Sequence, residues 1–494
     1  MKALTLLAAV AGILLAESAA AAKLGVSMKD SPDVSFRETS VAQDSARSVL
    51  LGKQHGAKPI QRTMKALAES TRERPAVVRI LFYGQSIVGQ NWHPLVIDEL
   101  KRRYPTAVFE VENRAIGGFE SPDLFRTAES DLYPFYPDLV FFHVYGPMDR
   151  YEAIVRKIRE TTTAEIVLWT SHLRRDDCDT REKVERAASS WDYRSQKIAE
   201  IAARYGCLFV DLRDKWARMM LASNYTADDL LGDVVHLKTN GPGFAAYAKF
   251  LSEALVRTDG AEGDSAHSGT IETVRPDDPR VRRGADGALT LDFDGNRVVA
   301  IADGSGAGDA DVLLDGRSVR DFVEMYFTTR PSTLISWMPM IRHVDIAPDA
   351  HPVAEDWTFT YLEGTDPRGK AIHYKVEGSV TGFDGEGWST NDFRSVSGRA
   401  VISCDDMRRA TWQYGYFVKP DPNDPKAARP GQKVTWSVKS LFADPYRPAA
   451  AGVRAVLVQN CGNAKHRLTL RPRSGAKLGV SAFIVYRPAK RTVP

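Results

Sequence analysis

Between residues 77 and 257 the chain alternates short apolar, β-branched runs with segments of helical hydrophobic period. The first run is Val77-Val78-Arg79-Ile80-Leu81-Phe82, followed by a helical stripe of Trp92, Leu95, Val96, Leu100 and Tyr104. Further strands are predicted at 107–111, 139–144, 166–170 and 208–211, with helices near 150–160, 182–204 and 242–256. Five strands alternating with helices predict a parallel sheet covered on both faces, a three-layer α/β domain over 75–257.

The pattern changes after Arg257. Thr-Asp-Gly-Ala-Glu-Gly-Asp-Ser-Ala-His-Ser-Gly-Thr is small and polar, which predicts a flexible linker over 258–287. From 288 to 494 come short strand-like runs (289–293, 298–302, 310–314, 434–438, 453–459, 468–470) separated by Gly, Asp, Asn and Pro. No helix-period segment of useful length stands out there, so an all-β sandwich or jelly roll is expected. Residues 23–74 form a mixed lead-in with one helix near 60–70.

A chain of 494 residues exceeds what one core organises, in keeping with two domains. Its 66 Lys and Arg against 63 Asp and Glu form no long single-sign block, so no field recruits nucleic acid or anionic lipid. Lys2, an apolar run over 4–15 and Glu-Ser-Ala-Ala-Ala-Ala ending at Ala22 predict a cleavable secretory signal over 1–22, hence a secreted or periplasmic protein. The apolar run falls short of the roughly 20 residues a bilayer needs, so no stable membrane insertion is expected. Of the four cysteines, Cys404 and Cys461 fall in strand-like segments where a bridge is one open reading. Cys178 follows one predicted strand and Cys207 precedes the next, at opposite ends of a parallel sheet, and that pair is expected to stay unbridged.

In an open parallel sheet, ligands bind beyond the carboxyl ends of the strands. The loop there after the first strand is Tyr83-Gly84-Gln85-Ser86-Ile87, with a serine at a helix N-terminus whose N–H groups are free for a developing anion. The second loop, Asn113-Arg114-Ala115-Ile116-Gly117-Gly118-Phe119, offers a backbone donor at paired glycines. The third is Tyr145-Gly146-Pro147-Met148-Asp149, and Gly232-Asp233-Val234-Val235-His236-Leu237 precedes the last helix. Serine needs a base to take its proton, and an imidazole does this best when a carboxylate fixes its tautomer. Asp233 and His236, three apart in a turn, are suited to that contact, which makes Ser86, Asp233 and His236 the candidate catalytic residues.

These blocks resemble the SGNH, or GDSL, hydrolase superfamily over roughly 75–257. The resemblance implies a flavodoxin-like αβα domain, Ser86 as nucleophile, Gly118 as oxyanion donor, Asp233 as carboxylate and His236 as base. Gln85 stands where the first block most often has Asp, as in sialate-acetylesterase-like relatives with Gly-Gln-Ser. Met148 stands where the third block's oxyanion Asn is expected, and a thioether donates no hydrogen bond. Gln85, Tyr145, Gly146 and His143 are therefore candidates for oxyanion or substrate contacts. The resemblance implies a carboxylic-ester hydrolase working through an acyl-enzyme, with an acylated carbohydrate as substrate and an accessory β-domain. A lipase- or thioesterase-like acyl hydrolase is one alternative, and a glycan-binding pseudoenzyme, motivated by Met148, is another.

A second Asp-x-x-His, Asp264 to His267, lies beside a literal Gly-Asp-Ser at Gly263 to Ser265. With no apolar strand before it, it is expected to be coincidental. Trp92 falls on a helical stripe and is expected in the core. No Cys or His cluster has metal-ligand spacing and no Gly-rich phosphate loop follows a strand, so neither metal nor cofactor is expected.

Overall fold

The computed structural model describes residues 59–489, apart from 307, 420, 422, 448 and 474–477. The predicted signal segment and most of the lead-in lie outside these residues. In chain order the first half holds α1 (Gln61–Ala68), β1 (Val77–Gly84), α2 (Ser86–Gly89), α3 (His93–Arg103), β2 (Val108–Asn113), α4 (Ser121–Asp131), β3 (Leu139–His143) and α5 (Met148–Thr161). There follow β4 (Glu165–Trp169), α6 (Arg181–Ser189), α7 (Tyr193–Arg204), β5 (Leu208–Val210), α8 (Leu212–Ser223), α9 (Ala227–Leu230) and α10 (Pro242–Ala254). No helix among the described residues is long and apolar enough to cross a membrane.

The five strands form one all-parallel sheet in the order β2-β1-β3-β4-β5, the flavodoxin-like doubly wound order. Period-two alternation divides its side chains between two cores. Ile80, Phe82, Phe141, Val167 and Trp169 pack with α3 and α10, whereas Leu81, Tyr83, Phe142, Ile166 and Leu168 pack with α4, α5 and α7. With both faces covered, the central strands read as unbroken apolar runs. Burying each such side chain contributes about 1.5–3 kcal/mol, and a one-residue slip would exchange the two sets, so the register is tightly held.

The helix predicted over 182–204 is two. The first ends at Ser189 with Ser190 as its cap, and Asp192 caps the second, its carboxylate accepting from the Ser195 N–H at 2.7 Å. The helices α4 and α8 were not foreseen; α4 buries Ser121, Thr127, Ser130 and Asp131 alongside Leu124 and Ala128, which erases its apolar stripe.

The second half holds α11 (Ser265–Ser268), β6 (Thr270–Val274), β7 (Val281–Arg283), β8 (Leu289–Ala302), β9 (Ala310–Leu314), β10 (Arg317–Ser318), β11 (Tyr326–Thr328), β12 (Glu355–Tyr361), β13 (His373–Gly378), β14 (Gly382–Trp388), β15 (Phe393–Arg394) and β16 (Val401–Ile402). Then come α12 (Cys404–Phe417), β17 (Lys433–Ser440), β18 (Arg454–Pro472) and β19 (Val480–Arg487). A seven-stranded sheet runs β10-β9-β18-β8-β19-β6, with β7 also pairing β8, and a five-stranded sheet runs β11-β17-β12-β13-β14. The smaller sheet is inserted in sequence between the strands of the larger, and each has its own apolar cluster.

Three expectations are corrected here. The stretch 258–287 is not bare chain: β6 pairs antiparallel with β19, but only Val274 of β6 is fully buried, so no apolar alternation announced it. The β-rich half does contain a helix, α12, whose buried face of Asp406, Met407, Ala410, Gln413 and Tyr414 mixes polar with apolar groups. All four cysteines are free, and Cys404 opens that helix instead of lying in a strand beside Cys461.

Candidate active site

At the end of β1 the chain turns at once into α2. Gln85 is extended, and its side-chain oxygen caps the helix by accepting from the Ile87 N–H at 3.2 Å. This leaves Ser86 as the first helical residue, beside the switch point where the sheet order reverses around β1.

The Asp233 carboxylate accepts the backbone N–H groups of Val235 (2.8 Å) and His236 (2.7 Å), closing the Asp-x-x-His turn on itself. Its second oxygen lies 2.7 Å from His236 Nδ1, and His236 Nε2 lies 2.8 Å from Ser86 Oγ. A proton on Nδ1 toward the carboxylate leaves the Nε2 lone pair facing the serine hydroxyl, the tautomer a general base requires. Ser86 Oγ is also within 2.6 Å of the Gln85 side-chain oxygen, so the hydroxyl proton has two acceptors in reach.

Burial by itself would raise the Asp233 carboxyl, but the hydrogen bonds from the His236 ring and from the His236 and Val235 amides outweigh it and hold the group down to about 2. An unfolded aspartate titrates near 3.9, so this contribution to stability is present above about pH 4 and lost as pH falls toward 2. Asp233→Asn is accordingly expected to flatten the fall of Tm between about pH 4 and 2. An equally steep fall in thermal melts of the variant would assign acid lability to other carboxylates.

The Asp233–His236 loop is tied on three sides. His172 Nε2 bonds the Val235 carbonyl at 2.7 Å, and burial pushes that imidazole down to about 4, which keeps it neutral. The Arg175 backbone N–H donates to the Val234 carbonyl at 2.8 Å. Gln90, just past α2, accepts from the Leu237 N–H (3.0 Å) and donates to the Leu237 carbonyl (2.9 Å), coupling the serine segment directly to the residue after His236.

Of the remaining candidates, Gly118 adopts φ +74°, a conformation that favours glycine, and a Cβ there would lie 2.5 Å from the terminal methyl of Met338. Its neighbour Gly117 lies against Ser86. Among the described residues the backbone N–H groups of Ser86 and Gly118 donate to no protein acceptor. Gly146, at φ +104°, packs tightly on Glu120 and Ser121, and its carbonyl accepts from Arg194 at 2.9 Å. Tyr145 is part-buried against His143, with Arg194 over its ring. His143 is fully buried, stacks on Trp169, and is pushed down to about 3 by burial, with Arg194 and His172 adding to the shift. Met148 begins α5 and packs on the apolar core. The structure thus joins Ser86, Asp233 and His236 through hydrogen bonds and sets Gly118 close by. Tyr145, Gly146, His143 and Met148 make no hydrogen bond to the three among the described residues.

Trp92 is fully buried and donates to the Ile87 carbonyl at 2.7 Å, packing beneath the serine helix. The second Asp-x-x-His is an ordered turn, with Asp264 capping α11 and bonded to His267 at 2.7 Å. It packs on Gly206, at the end where the chain enters β5, across the sheet from Ser86, and no hydrogen bond joins Ser265 to His267 among the described residues. No group of three or more His, Cys, Asp or Glu among the described residues is arranged to hold a metal ion.

Two residues of the β-rich half reach the site unannounced. Trp337 Nε1–H donates to the Gly117 carbonyl at 3.0 Å, and Arg409 donates to the Gly118 carbonyl. Nothing in the local sequence marks either, because their partners lie 220 and 291 residues away.

No family model and no curated protein matches the sequence. Among solved structures the chain is similar to a two-domain esterase, CEX, active on acetylated mannans, at 12% identity over 89% of this chain and 100% of that one, with a TM-score of 0.33. It is also similar to Axe2, an acetylxylan esterase from Geobacillus stearothermophilus (20% identity, 38% of this chain, 96% of that one, TM-score 0.31). A GDSL-lipase-like protein from Parabacteroides merdae matches at 18% identity over 37% of this chain and 98% of that one, with a TM-score of 0.31. These likenesses are distant; the structure itself shows a flavodoxin-like doubly wound sheet with a serine loop after β1 and an Asp-x-x-His loop before α10.

Proposed function

We propose that the protein is an exported serine esterase that removes O-acetyl groups from a carbohydrate, with its hydrolase unit over 75–257. The observation that carries this is the unbroken hydrogen-bond path from Asp233 through His236 to Ser86. Ser86 Oγ attacks the ester carbonyl as His236 takes its proton, and the negative oxygen forms beside the free N–H groups of Ser86 and Gly118. His236 then returns the proton to the leaving sugar alkoxide. Water, deprotonated by the same imidazole, releases acetate from the acyl-enzyme.

A carbohydrate substrate is supported by an aromatic ledge beside the serine. Trp337 packs edge-on against Phe417 at 5.8 Å, and Phe417 meets Trp412 and Tyr416, which stack on each other at 5.0 Å. Trp412 remains 41% exposed. Such flat apolar faces suit the C–H faces of pyranose rings. Acetylated glycans are also the substrates named for two of the structural neighbours.

The test pairs an acetylated polysaccharide with short and long aryl esters. Acetate release from the polymer and a preference for acetyl over long acyl esters are expected, and the reverse preference would favour a lipase. Trp412→Ala is expected to raise KM on the polymer roughly fivefold, from losing about 1 kcal/mol of stacking. An unaltered KM on the polymer would remove the ledge from the substrate path.

A further inference from the structure

We propose that the β-rich half completes the oxyanion site, with Trp337 and Arg409 as positioning residues that set the direction of the Gly118 N–H. This rests on the esterase reading of Ser86.

The Gly117 carbonyl and the Gly118 N–H are opposite ends of one planar trans peptide, so whatever fixes the carbonyl fixes the N–H. Trp337 Nε1–H holds that carbonyl at 3.0 Å. Arg409 holds the next carbonyl, that of Gly118, and is itself pinned by Asp123 at 3.0 Å between the rings of Phe119 and Trp412. Met338 fills the space where a side chain at 118 would stand. Two successive glycines have more backbone freedom than any other pair, and without these contacts nothing on the side chains would stop the peptide from turning.

The brace continues into the β-rich half. Ser336 Oγ bonds the Gln413 side-chain oxygen at 2.8 Å and accepts the Met338 N–H at 3.2 Å, and the Gln413 amide donates to the Pro339 carbonyl at 3.1 Å. Gln413 is fully buried in α12, so the segment carrying Trp337 is anchored to a helix with a packed core behind it. The hydrogen bond from Trp337 also polarises the peptide it reaches, making the Gly118 N–H a stronger donor. Because Met148 supplies no side-chain donor where an asparagine is expected, the aim of the backbone donors matters more than where an asparagine shares the work.

Trp337→Phe keeps the ring and removes the N–H. Since one oxyanion donor is worth about a hundred- to a thousandfold, its misalignment is expected to lower kcat on an aryl acetate about tenfold. KM and Tm should hold, and affinity for a phenylboronic acid, whose tetrahedral adduct on Ser86 places an oxygen in the hole, should fall with kcat. Arg409→Lys, which keeps the charge but loses the fork, is expected to act in the same direction and serves if the Trp337 variant does not fold. Wild-type kcat and boronate affinity in both variants would overturn the proposal, as would a rise in KM alone, which would make Trp337 a substrate contact. Ser86→Ala run in parallel separates the two levels: activity retained there defeats the esterase reading itself.

Discussion

Ser86→Ala is expected to lower kcat on an aryl acetate about a millionfold, leaving only the residue of catalysis that binding and the oxyanion donors provide. The magnitude follows from how the three side chains act as a unit. Without the hydroxyl there is no acyl-enzyme, and His236 Nε2, 2.8 Å from Oγ, has no serine proton to take. Asp233→Asn is expected to cost about ten-thousandfold, because an amide facing Nδ1 favours the wrong imidazole tautomer. Steady-state kinetics on purified protein decides the matter. If the Ser86 variant hydrolyses the ester at nearly the wild-type rate, the nucleophile lies elsewhere, and the Asp264–His267 turn becomes the next place to look.

The strands that build this site were legible because their environment is simple. With both faces of the sheet covered, β1, β3 and β4 read as continuous apolar runs, and the loops after them stand out as breaks. The Asp-x-x-His contact was legible because it is made within one turn. What escaped is what depends on tertiary satisfaction of polar groups. The buried face of α4 carries Thr127 and Ser130, silent in sequence because their partners, Tyr83 and His343, come from distant segments. The same holds for α12, where Asp406 and Gln413 are buried only because Arg126, Ser336 and the Pro339 carbonyl meet them. Hydrophobic periodicity registers none of these. Trp337 and Arg409 were invisible for a related reason: their function lies in backbone carbonyls of another part of the chain.

The stability of this arrangement depends on ion pairs between the two halves, and Arg330→Ala is expected to destabilise the fold by about 3–5 kcal/mol. The Asp131 side chain, at the end of α4, is 0% exposed, and Arg330, just beyond β11, grips it with Nε at 3.0 Å and Nη2 at 2.7 Å. Burial raises the Asp131 carboxyl even with this partner in place. Without the guanidinium, the carboxylate either stays ionised in the interior or takes up a proton, and both outcomes are unfavourable. Arg114, at 3.6 Å and more exposed, is too distant to compensate. The same Arg330 group donates to the Arg114 carbonyl at 2.6 Å, two residues before Ile116-Gly117-Gly118, so its loss should also loosen the oxyanion loop and lower kcat. Calorimetry and kinetics on Arg330→Ala therefore test one linkage from two sides. Replacing both partners, Arg330→Met with Asp131→Leu, is expected to restore most of the stability, because no buried charge is left unpaired, but not the hydrogen bond to the Arg114 carbonyl. A double variant that melts like wild type yet turns over slowly would separate the structural part of this contact from its catalytic one, whereas a single variant with unchanged Tm would show that the two halves are joined by other contacts.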